Sequence, residues 1–213
     1  MDWTAQVDGY CERVDFTFWA EPINAVTNAA FIIAAVLIAP RAVGIGRLLT
    51  LLLFLIGVGS FLFHTFATRW AGMADTLPIL LFILVYLFAV HRDLIGLRWY
   101  WALLATAGFF PFAAVVVPLL MQVPFFEVSA PYWTVPILLI VYGAIMGGAT
   151  RRGFWIGAGI LALSLTFRSV DETLCDTIPF GTHFMWHILN AVMLAWMIDV
   201  HARLSLATRA ARL

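Results

Sequence analysis

Seven apolar runs, separated by short polar segments, constrain this chain more than any other feature of its sequence. The runs cover residues 23–38, 48–67, 73–90, 99–120, 132–149, 153–166 and 183–200. A membrane-spanning helix needs about 20 predominantly apolar residues. Of the 213 residues, 63% are hydrophobic and only 11% are charged, whereas a soluble domain carries about 25% charged residues. The sequence therefore predicts an all-α integral membrane protein with seven transmembrane helices.

The spacing of these runs leaves only short loops and predicts a single domain over residues 1–213. Within it we distinguish an acidic N-terminal segment (1–21) and a basic C-terminal tail (202–213). No basic stretch followed by an apolar run opens the chain, so we predict no cleavable signal peptide. All 12 basic residues are arginine, which excludes a retinal Schiff base and a P-loop lysine. The composition also excludes a nucleic-acid binder, and the sequence leads to no prediction of a protein partner.

The arginines predict the orientation of the chain in the membrane. With the N-terminus outside, nine arginines fall in inside loops and the tail, and three fall in outside segments. Because inside loops carry an excess of basic residues, we predict an outside N-terminus and an inside C-terminus. The Arg- and Ala-rich composition indicates a bacterial inner-membrane protein, whose tail lies at an anionic membrane surface.

Five polar side chains interrupt the apolar runs in what this topology makes the outer half of the membrane. Ser60 and His64 lie four residues apart in the second run, Asp75 begins the third, and His183 and His187 begin the seventh. Residues at i and i+4 share a helix face. Polar and ionisable groups inside a membrane are costly and mark functional sites. We therefore expect these five side chains to converge.

Two histidines one helical turn apart, with a third on another helix, form a common zinc ligand set. Zinc lowers the pKa of its bound water toward about 7, and Asp75 is the candidate that takes the proton. Ser60 is the candidate that donates a hydrogen bond to an oxyanion. The residues alone leave open that these are interhelical hydrogen-bond partners. The other two histidines, His91 and His201, are predicted to be interfacial residues at inside helix ends.

Motifs in four regions of the chain resemble the alkaline ceramidases, which belong to a wider superfamily of seven-span membrane hydrolases. The motifs are Tyr10-Cys11-Glu12, Ala20-Glu21-Pro22, Asn24 to Asn28, Gly59-Ser60 with His64, Asp75 with Leu77-Pro78, Asp171 with Cys175, and His183-Phe-Met-Trp-His187. The resemblance covers nearly the whole chain. It implies a zinc-dependent intramembrane amidase that acts on ceramide or a related N-acyl lipid and gives a long-chain base and a fatty acid. The expected partner is a membrane lipid substrate.

The resemblance also assigns roles to the polar residues. It implies that His64, His183 and His187 are zinc ligands and that Asp75 activates the zinc-bound water. It implies that Ser60 steadies the oxyanion or the substrate carbonyl. None of these roles follows from composition or spacing alone.

A calcium site in the N-terminal segment is a further implication of the resemblance. The matching oxygen donors, of the kind that calcium prefers, are Glu12, Glu21, the backbone carbonyl of Tyr10, and Asp8. The sequence departs from the family pattern at two positions. Gly9 stands where an acid directly precedes the tyrosine position, and Val14 stands where the pattern has Asn. The alternative is a solvated acidic amphipathic segment without an ion.

The two cysteines, Cys11 and Cys175, both fall outside in the predicted topology, where disulfides persist. Both match family positions, and the resemblance implies a bridge between them. Two free buried thiols are the alternative.

Two other function classes stay open. One is a receptor-like seven-helix protein that senses a lipid and keeps zinc for structure, and the other is a small transporter or channel. No internal repeat is visible, and the polar residues lie in one leaflet, whereas transporter sites lie near the midplane. Both observations disfavour the transporter.

Overall fold

The computed structural model describes residues 2–7 and 9–210, with side chains described through residue 207. This part of the chain contains ten α-helices: α1 (Pro22–Thr27), α2 (Ala29–Ile38), α3 (Gly46–Phe66), α4 (Arg69–Ala89), α5 (Trp99–Ala107), α6 (Phe109–Leu120), α7 (Pro124–Glu127), α8 (Ala130–Met146), α9 (Gly148–Ser169) and α10 (His183–Ala210). Gln6 and Thr68 form an isolated β-bridge, and no strand occurs among the described residues. The predicted all-α class is confirmed.

Five helical segments are long and apolar enough to cross a membrane. They are Pro22–Arg41, Gly46–Phe66, Arg69–Leu94, Trp99–Leu120 and His183–Ala207. The first contains α1 and α2, and the fourth contains α5 and α6. α8 is apolar but has only 17 residues, and α9 carries three arginines. The five segments fit an integral membrane protein, and the number of seven spans stays a prediction.

Prolines lie inside several helices without ending them. Pro78 lies within α4, Pro118 within α6 and Pro136 within α8. In a membrane, neighbouring helices and local adjustments satisfy the backbone groups that a proline frees. The apolar runs therefore determine the helix lengths here, and the prolines do not.

The hydrophobic core lies between α2, α3, α9 and α10. Leu49, Leu53 and Ile56 of α3 are fully buried and pack in one cluster with Phe154 of α9 and Ile198 of α10. The outer surface is apolar as well, as shown by the exposed side chains of Leu104, Val115 and Ile145. An apolar surface around an apolar core is what a bilayer environment requires, since lipid tails cannot solvate polar groups.

Helices α3 and α4 approach closely at Gly59. A Cβ at this position would overlap the backbone carbonyl of Ala74. Small residues allow membrane helices to approach at this range. Because Ser60 follows Gly59 and Asp75 follows Ala74, the contact also brings these two polar residues together.

The N-terminal segment packs on the face of the molecule that carries the junction of α3 and α4. The backbone N–H of Val7 donates to the carbonyl of Ala67 over 2.8 Å, and the N–H of Arg69 donates to the carbonyl of Ala5 over 3.0 Å. A disulfide joins Cys11 to Cys175, in the loop before α10. The predicted bridge is therefore confirmed, and it joins two segments on one face. Which side of the membrane this face occupies stays a prediction.

At the opposite end of the helices, two histidines bond to residues of other helices. His91 is buried, with ring nitrogens 3.1 Å from the Thr106 hydroxyl and 2.6 Å from the Tyr142 hydroxyl. His201 is also buried, and its Nε2 lies 3.0 Å from a carboxylate oxygen of Asp93. The prediction did not include these hydrogen bonds between helices, and the position of the two histidines at the membrane interface stays a prediction.

We predict that Gly59→Ala destabilises the protein, because the new methyl group separates α3 from α4. Overpacking of this kind typically costs about 1–3 kcal/mol, which should appear as a lower melting temperature in detergent. Gly159→Ala is the matched control, since no atom lies within 4 Å of a Cβ at that helical glycine. Equal melting temperatures for the two variants would contradict the prediction.

Candidate metal centre

Three buried histidines face one another between α3 and α10. His64, His183 and His187 are 1%, 2% and 0% exposed. One ligand nitrogen of each lies within 4.8 Å of the others, and in the described part of the chain this is the one group of three His, Cys, Asp or Glu residues suited to a metal ion. The two helices therefore bring the histidines together as the spacing predicts, in a geometry that a metal ion could occupy.

Hydrogen bonds at the ring nitrogens orient two of these histidines. His64 Nδ1 lies 2.5 Å from Glu21 Oε2, and His187 Nδ1 lies 2.9 Å from the Thr27 hydroxyl. That hydroxyl donates to the carbonyl of Ile23 over 2.8 Å, so it can accept the N–H of His187. Metal-binding histidines typically make such bonds through the nitrogen that does not face the metal.

Two of the other ring nitrogens in the cluster are placed as a metal ion would require. His187 Nε2 and His183 Nδ1 are buried and have no hydrogen-bond partner. Buried polar atoms without a partner are rare and call for an explanation, such as a bound ion. A metal ion between the rings would accept a lone pair from each. The chemistry of the three donors and their orientation are therefore both suitable.

Asp171 fixes the start of the helix that carries two of the histidines. Its Oδ1 accepts the backbone N–H groups of Thr182 and His183 over 2.6 Å and 2.9 Å, as a helix N-cap does. Its Oδ2 accepts the N–H of Cys11 over 3.1 Å. Gly181 adopts a positive φ of 65°, and a Cβ there would collide with Asp171 and Cys11. The sequence analysis gave Asp171 no role beyond its motif.

Ser60 and Asp75 lie beside the histidine cluster. Ser60 is buried, and it forms a side-chain hydrogen bond with Asp75, which also interacts electrostatically with His64 and Arg168. The site thus combines three imidazoles, one carboxylate and one hydroxyl. This is the set of groups that a metal-dependent hydrolase uses to activate water and to stabilise developing negative charge.

Comparison with known families agrees with this geometry. The family model for ceramidases matches residues 2–212. The chain belongs to the ceramidase family. The resemblance to ceramidases is thereby confirmed, and the family points to hydrolysis of the amide bond of ceramide. A search of curated proteins returns no significant match.

Tyr10 covers the histidine cluster of this ceramidase. Its ring stacks on His183 with 3.7 Å between centroids and lies 5.2 Å from the ring of His64. Desolvation raises the pKa of the Tyr10 phenol, so this hydroxyl stays protonated. The side chain of Tyr10 therefore belongs to the candidate metal centre. The sequence pattern indicated only its backbone carbonyl as a ligand.

Arg168 is a second residue near the site for which the sequence analysis found no role. Its guanidinium lies over the rings of Tyr10, Tyr132 and Trp186, at 6.0, 5.4 and 5.9 Å from the centroids. It also donates to the hydroxyl of Ser129 over 2.8 Å. A single arginine at the end of an apolar run, three residues before Asp171, was the available signal.

The acids proposed for calcium have other partners in the ceramidase structure. Glu12 accepts the backbone N–H groups of Ile23 and Asn24 over 2.7 Å and 2.8 Å. Glu21 is buried and bonds to Arg13 and His64. The alternative of a solvated acidic segment is wrong for these two residues. Asp8 lies outside the described residues, and the calcium site stays a prediction.

The charge of Glu21 follows from its surroundings. Burial alone would raise its pKa, but the hydrogen bond and charge of His64 and the charge of Arg13 outweigh burial, so the pKa lies below its ordinary value. Glu21 is therefore an anion at the start of α1. An ionised carboxylate is the strongest acceptor available for the N–H of His64.

An apolar cavity of about 50 Å³ lies among α4, α8, α9 and α10. Its lining includes Tyr132, Trp186, Phe82, Leu139, Asn190 and Met193. Trp186 directly precedes the metal-site residue His187, and Arg168 lies over both Trp186 and Tyr132. One end of the cavity therefore lies beside Arg168, whose guanidinium also lies over the ring of Tyr10.

We predict that the purified protein holds about one divalent metal ion per chain, as expected for a site with three histidines. His183→Ala should remove most of this metal, whereas His91→Ala, which changes a buried histidine at the opposite end, should retain it. Elemental analysis measures both. Absence of metal from the unmodified protein, after purification without chelators, would show that the cluster is not a metal site.

Proposed function

We propose that this ceramidase is a zinc-dependent hydrolase that cleaves the amide bond of ceramide or a related N-acyl lipid within the membrane. The products are a long-chain base and a fatty acid. The observation that carries the proposal is the buried cluster of His64, His183 and His187, with Asp75 and Ser60 beside it. The family match supplies the class of bond, and the cluster supplies the residues to cleave it.

The three histidines would hold the zinc ion, and a fourth position would stay open, as in catalytic zinc sites. When bound there, zinc would supply a Lewis acid for the amide carbonyl and a water of lowered pKa. Glu21 and Thr27 contribute indirectly, because they hold His64 and His187 in fixed orientations. Partners of this kind maintain metal affinity.

Asp75 and Ser60 divide the proton transfer and the charge stabilisation between them. Asp75 takes the proton from the attacking water and returns it to the nitrogen of the leaving amine, which makes it general base and then general acid. Ser60 donates a hydrogen bond to the oxygen of the amide carbonyl as negative charge develops there. In the structure Ser60 is hydrogen-bonded to Asp75, so both groups lie on the same side of the site.

The apolar cavity would bind a hydrocarbon chain of the substrate. Apolar and aromatic side chains predominate in its lining. Because a lipid amide is held at the bilayer interface, a cavity inside the helix bundle lets its chain enter without crossing water.

The membrane arrangement is part of the proposal. α8 and α9 complete a seven-span single domain, with the N-terminus outside and the C-terminus inside, in a bacterial inner membrane. The Cys11–Cys175 bridge ties the N-terminal segment to the loop before α10, on one face of the molecule. This supports the arrangement, since disulfides persist on the oxidising side of a membrane. The site then opens toward the outer leaflet.

We predict that Asp75→Asn abolishes hydrolysis of a labelled N-acyl lipid but leaves zinc bound. Removal of a general base typically lowers the rate by about 10²–10⁴-fold. Asp199→Asn is the control, since Asp199 pairs with Arg203 near the far end of α10. The measurement combines product formation with elemental analysis of both variants.

Two outcomes would contradict these assignments. If Asp75→Asn loses its zinc, Asp75 is a ligand or an orienting residue and not the base. If the unmodified, zinc-loaded protein binds N-acyl lipids but hydrolyses none of a panel with varied head groups and chains, the receptor-like alternative replaces the enzyme.

We also predict that Leu139→Trp shifts the substrate preference toward shorter chains, because the larger side chain fills part of the cavity. Val141→Trp is the matched control, since Val141 lies on the same helix but faces outward. The relative rates for a series of N-acyl lipids with increasing chain length measure the shift. An unchanged chain-length profile for Leu139→Trp would place the hydrocarbon chain elsewhere.

A further inference from the structure

We propose that the N-terminal segment holds the guanidinium of Arg13 in place of a calcium ion, and that this guanidinium positions His64. The inference deepens the proposed function and rests on the histidine cluster holding a metal. It concerns a residue for which neither the sequence motifs nor the family match provides a role.

The oxygens of Glu21 show why calcium does not fit. Oε1 accepts the Nε–H of Arg13 over 2.5 Å. Oε2 accepts the Nδ2–H of Asn24 over 3.1 Å and lies 2.5 Å from His64 Nδ1. Both oxygens therefore have N–H partners. Calcium needs 6–8 oxygen ligands with free lone pairs at 2.3–2.6 Å.

The other described donors of the predicted calcium site also accept backbone N–H groups. Each carboxylate oxygen of Glu12 accepts a backbone N–H at the start of α1. The carbonyl of Tyr10 accepts the backbone N–H of Arg13 over 3.2 Å. These oxygens thus stabilise the N-terminal segment and the start of α1.

The contacts of Arg13 show what takes the place of the ion. Its three guanidinium nitrogens donate to three different groups: Nε to Glu21, one terminal nitrogen to the carbonyl of Asp15 over 3.0 Å, and the other to the carbonyl of His64 over 2.9 Å. The Arg13 side chain is 2% exposed. A buried positive charge is thus bonded to a carboxylate and two carbonyls, which are also typical ligand types for calcium.

Arg13 reaches His64 by two routes. One route runs through Glu21 to Nδ1 of the imidazole, and the other runs directly to the backbone carbonyl of the same residue. Arg13 therefore fixes both the imidazole ring of His64 and the backbone of α3 at this residue. An arginine keeps its charge at all physiological pH values and has a planar set of donors, so it does this permanently. Arg13 is a positioning residue, since it acts on the metal through His64.

The first test measures calcium binding to the full-length protein in a neutral detergent, after purification in calcium-free buffer. Calcium is titrated to about 1 mM, the weak end of known extracellular calcium modules, with calorimetry and thermal unfolding as readouts. We expect no saturable binding and no change in melting temperature. Saturable binding of one calcium ion per chain, or a saturating rise in melting temperature, would overturn the proposal.

The second test measures zinc affinity by chelator competition. Arg13→Met should weaken zinc binding by about 10–100-fold, as expected when a group that orients a ligand is lost. Arg13→Lys should recover part of the loss, because an ammonium can pair with Glu21 but cannot also match the other acceptors. Arg69→Met is the matched control, since Arg69 is an exposed arginine near the same face. Unchanged zinc affinity in Arg13→Met would overturn the positioning role.

The two tests separate this proposal from the proposed function. If the unmodified protein binds no zinc, the enzyme proposal fails, yet the calcium titration of the metal-free protein still decides between ion and arginine. If Arg13→Met does not fold, the comparison of Arg13→Lys with the unmodified protein measures the same effect. A full zinc affinity in Arg13→Lys together with saturable calcium binding to the unmodified protein would reject the proposal.

Discussion

The buried pair between Glu21 and His64 is the interaction on which the rest of the site depends. A carboxylate inside a protein is costly unless it is paired and hydrogen-bonded. Here it lies at the start of the first span and bonds to Arg13, His64 and Asn24. It therefore joins the N-terminal segment, α1 and α3 at one position. Without the pair, the imidazole that α3 contributes would lose its fixed orientation toward α10.

Helix packing provides the second part of the site. Gly59 allows α3 to contact α4, and Asp171 fixes the start of α10. The first contact brings Ser60 to Asp75, and the second brings His183 and His187 to His64. The five polar side chains of the candidate site thus come from three helices, α3, α4 and α10. This arrangement suits an amide that stays at the membrane surface while its hydrocarbon chain stays inside the bilayer.

The sequence predicted most of this arrangement for physical reasons that can be traced. Long apolar runs predict helices, and polar residues that are costly in lipid predict a site, so the histidine cluster was found. Contacts that depend on side-chain direction were not found. Arg13 and Arg168 counted only as charges for the topology, and Glu21 only as an oxygen donor, because spacing does not reveal which acceptors a long side chain reaches. The hydrogen bonds of His91 and His201 were not found for the same reason.

The stacking of Tyr10 on His183 has a consequence for biogenesis. The N-terminal segment and α3 leave the ribosome first, whereas α10 is among the last parts to be made. Until α10 inserts, Tyr10 has no histidine to cover and Cys11 has no cysteine to join. The cluster of three histidines becomes complete only at the end of synthesis. A chain that stops before the last helix therefore has one histidine of the three and cannot bind metal prematurely at this centre.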